Sequence, residues 1–259
     1  MLSSLDRWVA PAPGAVRVGW LHGRVYAHRG LHGRGLVENS PSAFAAAIAR
    51  GIGIECDVQA SADGRAVVFH DALLDRLTGE SGPVAERPAA GLNRIVLSGS
   101  SDRIPILRDV IEQVAARVPL LIEVKTRGGH AVAPLCRAVW RDLEGYSGAY
   151  AVMSFDPRVP NWFAIHAPNT VRGLVVTETD ARTPGGMLGR HRALWRARPD
   201  FLACDVRDLP SRFAAGQRER GLPLLAWTVS TREQLRRAQH GADAWIAEAE
   251  GLAAACASD

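Results

Sequence analysis

Apolar residues along this chain gather in short β-branched or aliphatic runs, separated by longer Ala-, Leu- and Arg-rich stretches of amphipathic helical character. The runs predict strands over residues 24–28, 53–58, 120–125, 149–154, 172–176, 201–205, 223–228 and 244–247. The stretches between them, such as SPSAFAAAIAR, LRDVIEQVAAR and TREQLRRAQ, predict helices, and Ser40-Pro41 reads as an N-cap followed by proline in the first turn. Alternation of this kind predicts an α/β fold, a single (β/α)8 TIM barrel, in preference to a doubly wound sheet. Residues 1–20 read as an N-terminal tail and residues 21–259 as the barrel domain.

One connection breaks the pattern. From Asp71 to Arg103 the chain is rich in Gly, Pro and Ser and shows no helical period. A structureless stretch of this length is usually functional or mobile, and its place after the second strand suggests a cover over the barrel mouth.

Two of the predicted strands carry carboxylates where apolar residues are expected. In GIECDV, Glu55 and Asp57 share one face, and in LLIEVK the same rule puts Glu123 and Lys125 on one face. His28 closes the first strand, and His70-Asp71 closes RAVVF, a short run read as a hairpin beside the second. An isolated Glu-x-Asp is ordinarily an ion-paired or solvated pair. Here acidic, histidine and lysine positions fall at the same end of three successive strands, the end where barrel enzymes place their chemistry. Three convergent carboxylates repel one another unless they are protonated or hold a cation, and an all-oxygen set selects Mg2+ or Ca2+, with Mn2+ a further candidate. Histidines beside such an ion suit phosphoryl chemistry, one taking a proton and the other giving one.

Composition sharpens this picture at one point. Of 31 Lys+Arg residues the only lysine is Lys125, whose compact ammonium suits a tight contact that a planar guanidinium would not. The net charge of +4 comes from arginines scattered along the chain, with no basic patch, which argues against a nucleic-acid partner. No apolar run reaches the length that spans a bilayer, the N-terminus lacks the apolar core of a signal peptide, and four scattered cysteines suggest a reducing compartment. Together these predict a cytoplasmic protein.

The joint pattern HRG…ENS…ECDV…SADG…VVFHD…LDRLT, then RIPIL, LLIEVK, SFDP, AWTV and GADAWI, closely resembles the glycerophosphodiester phosphodiesterase family from about residue 25 onward. The resemblance implies a TIM barrel that hydrolyses small-molecule glycerophosphodiesters to glycerol 3-phosphate and an alcohol, using one divalent cation. By the same resemblance His28 and His70 match the acid/base pair, and Glu55, Asp57 and Glu123 the metal ligands. Arg29 and Lys125 match the phosphate contacts, and Trp227 and, more weakly, Phe155 the substrate wall. Glu38, Asn39 and Asp71 would support them. The chain departs from the common family pattern at Ser230, at Ala247-Glu248 and at Ile104–Leu107, none of which removes a catalytic group. Two alternatives stand beside this reading. One is a lysophospholipase D-type enzyme, with Trp8, Trp20 and the 71–103 segment touching a membrane. The other is a non-catalytic barrel that binds phosphorylated metabolites.

Overall fold

Why the strands and helices form where they do is visible in a computed structural model, which describes residues 2–126, 128, 130–179 and 183–257. Its strands are β1 (Val25–Ala27), β2 (Gly53–Ala60), β3 (Ala66–Val68), β4 (Leu120–Val124), β5 (Tyr150–Ser154), β6 (Val171–Val176), β7 (Phe201–Asp205), β8 (Leu224–Val229) and β9 (Ala244–Ala247). Every strand predicted from the apolar runs is present, with ends shifted by a residue or two. The chain divides into two compact units, one of residues 27–150 and one of residues 1–26 with 151–259.

In the unit of residues 27–150, β4 runs parallel to β2 with Asp57 opposite Glu123, and β3 folds back antiparallel with Val58 opposite Val68. Both faces of these strands are covered, so β2 and β4 are buried almost without interruption. The helix Pro41–Ala49 begins as expected, with the Ser40 hydroxyl accepting from the Ala43 N–H and proline in the first turn.

The irregular 71–103 segment has only short helical pieces, Val84–Glu86 and Ala89–Leu92. It is nevertheless a packed lobe. Leu74, Val84, Ala89, Leu92, Ile95 and Leu97 are buried together against Val67, Phe69 and Ile104. Isolated antiparallel bridges between Leu73 and Pro83, Thr78 and Leu97, and Val96 and Arg103 satisfy backbone groups that a helix would have used. The apolar residues project inward from successive turns, which is why no period of 2 or 3.6 exists to be read. Leu74 is fully buried, so Leu74→Ala is expected to cost about 2–5 kcal/mol. Urea denaturation would show this as a lower midpoint with an unchanged slope.

In the second unit β5 pairs in parallel with β6, β6 with β7, β7 with β8 and β8 with β9, with helices in the connections. The helix Ala249–Cys256 follows the last strand, an element the pattern reading did not include. The segment expected as a tail contains the helix Leu2–Val9 and belongs to this unit. Its Asp6 is completely buried and accepts hydrogen bonds from His191 Nδ1 (2.9 Å), Trp195 Nε1 (2.7 Å) and Gln217 Nε2 (2.7 Å). A buried carboxylate with three donors fixes that helix in place. Among the described residues no helix is long and apolar enough to cross a membrane.

Candidate active site

Strand alternation turns Glu55 and Asp57 to one face of β2, and the parallel register sets Glu123 of β4 beside Asp57. All three are buried, and one oxygen from each lies within 4.8 Å of the others. Such a cluster needs positive charge. Lys125 Nζ lies 2.8 Å from Glu123 Oε1 and 3.1 Å from Asp57 Oδ1, and Arg29 Nε lies 3.2 Å from Asp57 Oδ2. The Arg29 backbone N–H donates to Glu55 Oε2 at 3.0 Å.

The turn after β1 makes this approach feasible. Arg29 and Asn39 both adopt positive φ, 53° and 54°, and the Asn39 N–H donates to the Arg29 carbonyl. Gly30 stands at φ 78°, where an added Cβ would meet Phe44 Cδ1 at 2.9 Å and Ala43 Cβ at 3.0 Å. With the turn so held, Asn39 Nδ2 donates to Asp57 Oδ2 at 3.0 Å while its Oδ1 accepts from the Asp57 N–H.

The electrostatic consequences differ among the three acids. Burial and the charges of Asp57 and Glu123 push the Glu55 carboxyl well above its ordinary range. Burial also raises Glu123, although Lys125 opposes it. Burial works on Asp57 in the same sense, but Lys125 and Arg29 outweigh it and hold that carboxyl below the usual value. Three buried carboxylates, two of them resisting ionisation with the protein's own cations in place, form an oxygen-donor set that fits a hard divalent cation.

His70 is presented by the β2–β3 hairpin. Gln59 Nε2 donates to the carbonyls of Phe69 and Asp71, each at 2.7 Å, and so grips the chain on both sides of the histidine. The His70 Nδ1 lies 2.7 Å from Asp71 Oδ1. An ionised Asp71 is acceptor only, so the neutral imidazole carries its proton on Nδ1 and leaves the Nε2 lone pair available. Burial lowers the His70 pKa, with Lys125 and Arg29 adding to the effect against Asp57 and Asp71. Asp71 itself is lowered to about 2, chiefly by its hydrogen bonds to Arg76. The His28 ring stands edge-on to that of His32, with centroids 6.4 Å apart.

A cavity of about 590 Å3 opens beside His70 and Lys125, walled by Ala60, Ala72, Val132 and Leu135 and with Glu86 on its lining. In the other unit, Phe155 and Trp227 meet edge to face at 5.3 Å, and Trp227 Nε1 donates to the Ala203 carbonyl. Within the first unit the structure therefore gathers Arg29, Glu38, Asn39, Glu55, Asp57, Glu123 and Lys125 into one network, with His70 and Asp71 joined to it through Arg76. Gln59 and Arg76 were not singled out from the sequence. Arg76 lies in the LDRLT phrase, and Gln59 follows the acidic pair by two residues on the same strand face.

The model of the Glycerophosphoryl diester phosphodiesterase family matches residues 28–248. The chain belongs to that family. Family members are phosphoric diester hydrolases. Among its relatives is a glycerophosphodiester phosphodiesterase of Caldanaerobacter subterraneus, 26% identical over 82% of this chain and 88% of that protein. A Bacillus altitudinis protein of the same name is 36% identical, over 40% of this chain and 45% of that protein. An Oleispira antarctica phosphodiesterase, solved in complex with the product sn-glycerol-3-phosphate, superimposes with a TM-score of 0.77 at 24% identity, covering 89% of this chain and 94% of that one. A Thermotoga maritima glycerophosphodiester phosphodiesterase gives 0.69 at 24% identity over 86% and 93%. These likenesses show the fold, a (β/α)8 TIM barrel, as the strand–helix alternation predicts.

Proposed function

We propose that this chain hydrolyses glycerophosphodiesters to glycerol 3-phosphate and an alcohol, with a divalent cation held by Glu55, Asp57 and Glu123 and proton transfer by His28 and His70. The observation that carries the proposal is the convergence of three buried carboxylates, with oxygens within 4.8 Å, on Arg29 and Lys125. When bound, the cation would neutralise phosphate oxygens as a Lewis acid and lower the charge that builds up in the transition state. Arg29 and Lys125 orient the phosphate and add further positive charge there. His70, held neutral with Nδ1 turned to Asp71, takes a proton at Nε2 from the attacking water as the water oxygen bonds to phosphorus. His28 returns one to the departing alkoxide as its bond to phosphorus breaks. Mg2+ and Ca2+ are the preferred ions, the setting is cytoplasmic, and the role lies in glycerol and lipid metabolism.

The pH dependence tests the assignment of the base. Burial disfavours the protonated imidazole of His70, so its active neutral form persists below the ordinary histidine pKa near 6.5. On this account kcat/KM is bell-shaped, with an acid limb below that value that vanishes in His70→Ala. A monotonic profile between pH 5 and 9 would count against paired acid/base histidines.

One observation supports a lipid-directed variant of the same chemistry. Trp8 is 87% exposed and Leu5 lies three residues before it on the helix Leu2–Val9. Turnover of micellar lysophospholipid at a rate comparable with glycerophosphocholine would establish that variant, and no turnover would eliminate it.

A further inference from the structure

We infer that Arg76 is a positioning residue for this reaction, one guanidinium that fixes both the proton-transferring His70 and the phosphate contact Arg29. The inference rests on the reaction proposed above. Arg76 Nε and Nη2 donate to Asp71 at 2.5 and 3.0 Å, while Nη1 and Nη2 donate to Glu38 at 3.1 and 2.8 Å. Asp71 holds His70 Nδ1 at 2.7 Å, and Glu38 Oε1 accepts from Arg29 Nη1 at 2.8 Å. From the neutral His70 ring an unbroken chain thus leads to Asp71 and on, with alternating charge, through Arg76, Glu38 and Arg29 to Asp57.

The backbone that carries Arg76 is itself pinned. Leu74 is buried in the lobe core, the Thr78 hydroxyl donates to the Leu74 carbonyl, and Asp75 accepts from the Gly82 N–H. The 71–103 segment therefore delivers a fixed guanidinium to the site. Only a planar fork can bond one carboxylate along each of two edges, and a lysine would offer a single point of charge. Because Arg76 is 49% exposed at its side chain, water screens its charge, and geometry is the larger part of what it supplies.

The effect on His70 has a definite sign. The groups that act on this imidazole are Asp71, Asp57, Lys125 and Arg29, and Glu86 and His130 line the same cavity. Arg76 draws on the Asp71 charge. Its removal leaves that charge to His70 alone and favours the protonated ring.

The test compares wild type with Arg76→Gln and Arg76→Lys, using glycerophosphocholine turnover, thermal melting, and an NMR titration of the His70 ring without substrate. Arg76→Gln is expected to stay folded and to lose about 10–100-fold in kcat/KM, with kcat falling through His70 and KM rising through Arg29. Its His70 midpoint moves to higher pH, and Arg76→Lys recovers little of the activity. Full activity in Arg76→Lys, or activity lost only in step with the fold while the His70 midpoint stays unmoved, would overturn the inference. If wild type turns over no glycerophosphodiester, the proposed function fails. The NMR midpoint then decides alone, a rise supporting the Arg76 assignment and no shift refuting it.

Discussion

Replacing His70 with alanine is expected to lower kcat/KM by about 10²–10⁴-fold while leaving the protein folded. The side chain is 28% exposed, and its ring is hydrogen-bonded to Asp71. After the substitution Asp71 keeps both of its bonds from Arg76, so no charge is left without a partner. The hairpin survives as well, because Gln59 grips backbone carbonyls and not the imidazole. Activity should therefore fall far more than stability. His28→Ala is expected to behave alike, and thermal melting beside steady-state kinetics separates the two quantities. Near-normal turnover in both variants would remove the proton-transfer mechanism.

Asp57→Asn should damage stability as well as activity. Its carboxylate is the point where Arg29, Lys125 and Asn39 converge, and the residue is 1% exposed. Without the negative charge, Arg29 keeps Glu38, but Lys125 is left with Glu123, whose own carboxyl is pushed by burial toward the neutral form. Removing one partner from a buried ionic network typically costs about 3–5 kcal/mol. Because Asp57 is held below its ordinary pKa, it contributes stability at pH values above that ordinary value. That contribution is lost as pH falls through the lowered one, and the variant should lack this acid-side loss. A second readout concerns the cation. Wild type should gain melting temperature on adding Mg2+ or Ca2+, by mass action on the folded state, and Asp57→Asn should gain much less. An unchanged response to metal in the variant would take Asp57 out of the ligand set.

The parts of this arrangement that were legible in the sequence are those governed by short-range geometry. Period-two alternation places Glu55, Asp57, Glu123 and Lys125 on shared faces, and the β2–β4 register then brings Asp57 and Glu123 together. Lys125 stood out because arginine carries every other fixed positive side-chain charge. What could not be read depends on contacts between distant residues. Asp6 looks like an ordinary polar residue near a terminus, yet it is buried by donors that follow it by 185 to 211 positions. Arg76 is one of 31 Lys+Arg residues, within a stretch that has no period. Only the fold of the 71–103 lobe reveals that its two carboxylate partners meet there. Gln59 was hidden for a related reason, since its role is to satisfy backbone carbonyls that no pattern of side chains announces.

The most direct test incubates purified protein with glycerophosphocholine and glycerophosphoethanolamine, in Mg2+, in Ca2+ and in chelator, and identifies both products. The account predicts glycerol 3-phosphate with free choline or ethanolamine, and loss of both on chelation. Tight stoichiometric binding of these diesters with no hydrolysis in either metal would contradict it and leave a barrel that binds phosphorylated metabolites without turning them over.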